Sequence, residues 1–171
     1  KHLYDYYHEI YGTFYWIKNN YNGAAPNWIK HKVILKNSFK NSTLVETGTF
    51  RGYTLLKLHK HFDKIYSFEP YEKLFKFSYE RLIKIKQIKL FNETSEVGLP
   101  KLIENLGGNV TFWLDGHYSG DGTFKGKVTT PIINELNTII NNRDNFDNFS
   151  ILVDDYRLFD GKDYPEEKFL K

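Results

Sequence analysis

The fold is decided by the stretch Val45-Glu46-Thr47-Gly48-Thr49-Phe50-Arg51-Gly52-Tyr53-Thr54. An apolar strand leads into it, an acid opens a turn that contains two glycines, and a helical pattern follows. Glycine has no Cβ and accepts a positive φ, so such a strand-to-helix turn lets backbone N–H groups come close to a ligand. We call residues 46–52 the glycine turn, and it predicts a ligand site at the end of the first strand.

The acid at the start of the glycine turn distinguishes it from a dinucleotide-binding turn. The dinucleotide pattern is G-x-G-x-x-G, and Glu46 stands where its first glycine is required. An acid at this position suits a ligand with a cationic end better than one with a pyrophosphate. A nicotinamide-dependent oxidoreductase is therefore the less favoured interpretation.

Beyond the glycine turn, apolar strand patterns alternate with helical patterns. The predicted strands cover residues 42–46, 64–69, 87–91, 110–114 and 149–153. This alternation predicts an α/β fold with a doubly wound, mostly parallel sheet over residues 41–171. Residues 1–40 are predicted to form a helical N-terminal extension that covers the substrate, and the whole chain is expected to be a single domain.

Polar residues follow each predicted strand, at the sheet edge where open parallel sheets bind ligands. Glu69 ends the second strand, where an acid can accept two hydrogen bonds from a ribose diol. The alternative is that Glu69 caps the helix that begins near Tyr71. Together with the glycine turn, Glu69 favours a nucleoside site.

Three aspartates follow the fourth and fifth strands. Asp115 ends strand four, and the pair Asp154-Asp155 ends strand five. Three carboxylates from neighbouring strand ends form a set of hard oxygen ligands suited to Mg²⁺, which could orient a substrate hydroxyl. The alternative is that these aspartates only form turns at the strand ends.

His117 lies two residues after Asp115 and is a candidate general base at neutral pH. A loop histidine bonded to the backbone is the alternative.

The bulk composition limits the partners. The chain has 171 residues and a net charge of +3, and its lysines are scattered, so we expect no nucleic-acid partner. No stretch approaches the roughly 18 apolar residues of a membrane span, so no membrane partner is expected. The absence of cysteine suits a reducing compartment, and we expect a cytoplasmic protein.

These motifs together resemble the class I S-adenosylmethionine-dependent methyltransferases. The resemblance implies that the glycine turn faces the methionine part of the cofactor, with Glu46 near its amino end. It implies that Glu69 binds the ribose and that Ser95 contacts the adenine. The implied cofactor-binding set is Glu46, Gly48, Thr49, Gly52, Thr54, Glu69 and Ser95.

Within this class, the three aspartates resemble the metal-dependent O-methyltransferases of the catechol and macrocin types. The resemblance implies that Asp115, Asp154 and Asp155 hold Mg²⁺. The catechol type has a lysine base where this chain has Tyr118, so His117 and Asp115 are the candidate catalytic groups. The sheet of the family normally ends with two further strands, which we expect to be missing here.

The expected function is therefore Mg²⁺-assisted O-methylation of a small polyhydroxyl acceptor such as a sugar, by a protein that can oligomerise. A non-catalytic nucleoside-binding module of the same fold is the main alternative.

Overall fold

The computed structural model describes residues 2–118, 120–126, 130–159, 161 and 165. The chain forms two compact units, Lys1–Asn37 and Ser38–Lys171.

The first unit consists of two helices, α1 (His2–Lys18) and α2 (Asn27–Lys36). The segment between them contains Gly23 at φ 98° and ends at Pro26, whose fixed φ suits the start of a helix. Trp28 ties the two helices together, since its backbone N–H donates to Glu9 Oε1 at 2.7 Å and its indole N–H donates to Thr13 Oγ1 at 3.0 Å.

The second unit is a five-stranded sheet with helices between the strands. The strands are β1 (Thr43–Thr47), β2 (Lys64–Phe68), β3 (Ile88–Phe91), β4 (Gly108–Leu114) and β5 (Phe146–Val153). The helices are α3 (Tyr53–Leu58), α4 (Glu72–Leu82), α5 (Ser95–Ile103) and α6 (Ile132–Asn141). The strand order is β3-β2-β1-β4-β5 and every pairing is parallel, which confirms the predicted doubly wound α/β fold.

The register brings the ends of three strands level at the middle of the sheet. Thr47, the last residue of β1, pairs with Phe68 of β2 on one side and with Leu114 of β4 on the other. The chain leaves β1 towards β2 and returns later to β4, so the strand order reverses between β1 and β4. Ligands bind at such a switch point in open parallel sheets.

The central strand is buried because both of its faces are covered. All five residues of β1 are buried, and the core beside it contains Phe68, Phe112 and Ile139. β4 and β5 begin earlier than predicted, and the buried ring of Phe146 explains the longer fifth strand. The sequence from Pro165 onward also predicts a helix, and residues 166–171 lie outside the described part of the chain. Among the described helices, none combines the length and the apolar character that crossing a membrane requires.

Candidate functional site

The glycine turn is packed tightly against the end of β4. Gly48 has a φ of 83°, and a Cβ added to it would lie 2.5 Å from the carbonyl oxygen of Asp115. On the other side, the N–H groups of Gly48 and Thr49 both donate to the Phe68 carbonyl at 3.1 Å. The turn is thus held between β2 and β4 at the switch point, where a side chain on Gly48 would not fit.

The second glycine of the turn starts the next helix. Gly52 precedes α3 with a φ of 67°, and a Cβ there would lie 2.7 Å from Cδ1 of Leu82. The backbone therefore needs glycine at this position both for its conformation and for the approach of α4.

Glu46 is buried, with 2% of its surface exposed. Ser67 Oγ donates to Glu46 Oε2 at 2.7 Å, and the Thr54 hydroxyl also hydrogen bonds to the carboxyl group. Thr49 Oγ1 lies 2.6 Å from Ser67 Oγ and extends this network. The pKa of Glu46 is raised to about 8, mainly by burial. The charge of Glu69 adds to the rise, and the hydrogen bonds from the Ser67 and Thr54 hydroxyls oppose it. Glu46 is therefore largely neutral at pH 7.

Glu69 joins the glycine turn to the start of α4. Its Oε2 accepts the Phe50 N–H at 2.8 Å and its Oε1 accepts the Tyr71 N–H at 3.0 Å. Burial raises the pKa of Glu69, and the two backbone donors oppose the shift. A carboxylate offers about four acceptor positions. The contact with Tyr71 is thus compatible with a further role in binding a diol.

Ser95 is the first residue of α5 and is 5% exposed. Its hydroxyl hydrogen bonds to the carboxyl group of Glu135 on α6. Sequence reasoning missed Glu135, although a charged residue inside the apolar run Ile132-Ile133-Asn134-Glu135-Leu136 was a usable signal. Glu135 is 2% exposed, and burial raises its pKa to about 7.

An aspartate–histidine cluster, formed by Asp115, His117 and Asp155, occupies the ends of β4 and β5. His117 Nδ1 lies 3.4 Å from Asp115 Oδ1, and its Nε2 lies 3.2 Å from Asp155 Oδ2. The hydrogen bond with Asp155 raises the pKa of His117, burial opposes this, and the charges of Asp115 and Asp155 reinforce it. The imidazole is therefore more basic than usual, and it is held between two carboxylates.

The two aspartates of the pair are placed differently. Asp154 continues the ladder between β4 and β5, its N–H donating to the Leu114 carbonyl at 3.0 Å. Asp155 adopts a φ of 52°, and its Oδ1 also pairs with Arg157.

This arrangement does not fit the expected Mg²⁺ site. No group of three His, Cys, Asp or Glu side chains in the described part of the chain is arranged to hold a metal ion. Basic side chains already contact two of the three carboxylates, because His117 lies between Asp115 and Asp155 and Arg157 contacts Asp155. Two of the three predicted carboxylates, Asp115 and Asp155, thus lie on either side of one group. That group is the imidazole of His117, where the Mg²⁺ ion was expected.

The fold is similar to that of known methyltransferases. No protein-family model and no curated protein matches the chain. The SAH-bound Podospora anserina methyltransferase PaMTH1 is similar with a TM-score of 0.53 and 16% identity, over 85% of this chain and 61% of that one. The 23S rRNA methyltransferase ErmE has a TM-score of 0.51 and 10% identity, over 77% of this chain and 48% of that one. An rRNA methylase from Streptococcus thermophilus has a TM-score of 0.48 and 18% identity, over 77% of this chain and 73% of that one.

The likenesses to PaMTH1 and ErmE establish the fold. The chain has the Rossmann-like fold of the class I S-adenosylmethionine-dependent methyltransferases, as its glycine turn predicts. The matched region spans about three fifths of PaMTH1 and about half of ErmE.

The exclusion of nucleic acid as a partner is wrong. It relied on a net charge of +3 and on the scattered lysines. ErmE shares this fold and is a 23S rRNA methyltransferase, so the fold is compatible with an RNA substrate. Net charge is a poor criterion here, because binding depends on the local arrangement of charge as well as on the total.

Proposed function

We propose that this protein is an S-adenosylmethionine-dependent methyltransferase with its cofactor site at the switch point between β1 and β4. The observation that carries the proposal is the position of the glycine turn. Gly48 packs against the Asp115 backbone, while the neighbouring Glu69 binds the Phe50 amide of the same turn. The glycine turn, Glu69 and the polar residues that follow β4 are thus neighbours along one edge of the sheet.

The donor set at this edge suits such a cofactor. Gly48 and Gly52 let the turn pack closely against the end of β4 and against α4, and Glu69 retains acceptor capacity for a diol. Glu46, Thr49, Thr54 and Ser95 complete the proposed set. Bound S-adenosylmethionine would supply a methyl group made electrophilic by its sulfonium.

The aspartate–histidine cluster is the proposed acceptor side. The Asp115 side chain is 26% exposed, more than the 13% of His117, so Asp115 is the carboxylate that an acceptor hydroxyl would meet first. His117 would take up the proton through its contact with Asp115. The hydrogen bond with Asp155 raises the pKa of His117, and only the neutral imidazole can accept a proton, so we expect activity to increase as the pH rises through that pKa.

The proposed acceptor group is a sugar hydroxyl, carried by a small polyhydroxyl compound or by the ribose of RNA. No step of the proposal uses Mg²⁺, because the residues at the strand ends do not fit a metal site.

Isothermal titration with S-adenosylhomocysteine tests the cofactor site. We expect a micromolar dissociation constant, and an absence of binding at millimolar ligand would refute the proposal. Glu69→Gln should weaken binding about tenfold, since each lost charge-assisted hydrogen bond to a ligand costs about 1.5 kcal/mol or more. Glu80→Gln, which changes an exposed glutamate on α4, is the matched control.

Radiolabelled methyl transfer tests the reaction. We expect transfer to one of two acceptor panels, free sugars or RNA. Binding of S-adenosylhomocysteine without transfer to either panel would favour the non-catalytic alternative.

A further inference from the structure

Glu135 is a buried acid that the proposed reaction does not use. It lies in the first turn of α6, and 2% of its surface is exposed. Its carboxyl group faces the backbone that follows β4. A Cβ added to Gly116 would lie 3.2 Å from Glu135 Oε1 and 3.1 Å from Thr47 Oγ1. The absence of a side chain on Gly116 therefore lets this segment pack directly on the carboxyl group.

The environment of Glu135 is unusual for a residue that only fills space. Its Oε1 has no hydrogen-bond partner among the described residues. Burial raises the pKa of the group, while the hydroxyls of Ser95 and Thr47 oppose that rise. Burying a carboxyl group with incomplete hydrogen bonding is costly, and an apolar side chain would avoid that cost.

The contacts of Glu135 lead directly to the proposed acceptor side. The Asp115 N–H donates to Thr47 Oγ1 at 3.1 Å and to the Thr47 carbonyl at 3.1 Å. The hydroxyl of Thr47 thus touches both the Asp115 backbone and the Glu135 carboxyl group. Two residues after Asp115, His117 donates its N–H to the Asp115 carbonyl at 3.0 Å.

We propose that Glu135 is a positioning residue that holds the Asp115–Gly116–His117 segment against the end of β1, so that His117 stays between Asp115 and Asp155. Its role in methyl transfer rests on the proposed function. Its role in holding the segment rests on the packing alone.

Hydrogen exchange measured by mass spectrometry on the full chain tests the positioning. Glu135→Ala should speed exchange in peptides that cover residues 113–118 by about tenfold, because the segment loses its support. Glu135→Gln keeps the shape of the side chain and should stay within about threefold of the wild type. Ile139→Val is the matched control, since Ile139 is a fully buried residue of the same helix.

Faster exchange confined to residues 113–118 in Glu135→Ala, absent in Ile139→Val, supports the proposal. Exchange that is unchanged there, or accelerated equally throughout the unit, overturns it. If Glu135→Ala fails to fold, Glu135→Asp replaces it, since aspartate is shorter by one methylene and withdraws the carboxyl group from the segment. Its exchange in residues 113–118 is then compared with that of Ile139→Val in the same way.

A second readout addresses methyl transfer. The Glu135→Ala dissociation constant for S-adenosylhomocysteine should remain within about threefold of the wild type, while kcat falls at least about tenfold. An unchanged kcat would overturn the role in transfer. If the wild type binds no S-adenosylhomocysteine, the proposed function fails, and the exchange experiment still decides whether Glu135 holds the segment.

Discussion

At the residue scale, two strained backbone positions lie beside the candidate site. Phe50 and Asp155 have φ values of 50° and 52°, a region that side chains other than glycine seldom adopt. The Phe50 N–H is bound by Glu69, and the Asp155 carboxylate contacts His117 and Arg157. These polar contacts hold backbone conformations that cost on the order of 1–3 kcal/mol each, and such strain is concentrated at functional sites.

The tight packing of the glycine turn gives the first prediction. Gly48→Ala should lower the free energy of unfolding by about 2–4 kcal/mol, because it combines an unfavourable φ with overlap against rigid backbone. Gly122→Ala is the control. Gly122 also has a positive φ, 91°, but nothing described lies within 4 Å of an added Cβ, so only about 1 kcal/mol should be lost. Equal losses in urea denaturation would contradict the packing of Gly48 against Asp115.

The aspartate–histidine cluster gives the second prediction. Asp155→Asn should lower the pKa of His117 towards its ordinary value, since the hydrogen bond with Asp155 is the largest cause of the rise. Asparagine tolerates the positive φ at this position, so the backbone should be preserved. The titration of the His117 ring protons by NMR measures the effect.

Asp154→Asn is the matched control for that titration. The charge of Asp154 is the smallest of the causes that raise the pKa of His117, so this variant should shift the pKa less. An equal or larger shift in Asp154→Asn would show that the cluster is arranged differently.

At the element scale, the sequence predicts the sheet better than it predicts the contacts at the sheet edge. Every strand was located, because apolar runs between turn residues are a local signal. The starts of the elements were less accurate. The helix predicted to begin near Tyr71 begins at Glu72, since Tyr71 has an extended ψ of 108° and its amide is bound by Glu69.

The site was harder to predict than the fold because its contacts join distant segments. Polar residues at the ends of parallel strands are expected to share one edge of the sheet, and this expectation identified Glu46, Glu69 and Asp115 as neighbours. It did not show that His117 lies between two carboxylates, because side-chain pairing depends on loop geometry. Nor did it find Glu135, which reaches the edge from a helix that begins beyond residue 130.

The packing of α5 on the sheet gives the third prediction. An alanine at a helical glycine ordinarily stabilises by about 1 kcal/mol. Gly98→Ala should instead destabilise by about 1–2 kcal/mol, because its Cβ would lie 2.7 Å from Cδ1 of the buried Phe68 ring. Gly12→Ala on α1 is the control, since nothing described lies within 4 Å of that position, and it should show the ordinary gain. A gain in thermal stability for Gly98→Ala would show that α5 sits farther from β2.

At the scale of the whole molecule, the carboxyl groups of two buried acids lie on opposite faces of the sheet at the central strand. Glu46 belongs to β1 itself, and Glu135 reaches β1 from α6. Successive residues of a strand point to opposite sides. Glu46 accordingly contacts Ser67 and Thr54, whereas its neighbour Thr47 contacts Glu135. A carboxyl group with a raised pKa is therefore buried on each face of the sheet, close to the switch point. The stability of the protein should accordingly depend on pH.

The fourth prediction is that thermal stability falls as the pH rises from about 5 to about 8.5. The pKa values of Glu46 and Glu135 are raised to about 8 and about 7, so above pH 4.5 the unfolded chain ionises while the native state keeps its protons. Each acid therefore lowers the free energy of unfolding further as the pH rises, until the pH exceeds the pKa of that acid in the native state. The raised pKa of His117 acts in the same direction, since its contribution is lost as the pH rises through that value.

Glu46→Gln isolates the largest part of this dependence. A glutamine resembles the protonated acid, so the variant should lose the fall in stability between pH 7 and 8 and should be more stable than the wild type at pH 9, by at most on the order of 4 kcal/mol. Glu72→Gln is the control, because Glu72 is fully exposed and its contact with Lys76 lowers its pKa. Calorimetry across this pH range measures the difference. A wild-type melting temperature that is constant or rises from pH 5 to 8 would mean that Glu46 and Glu135 are charged in the folded protein.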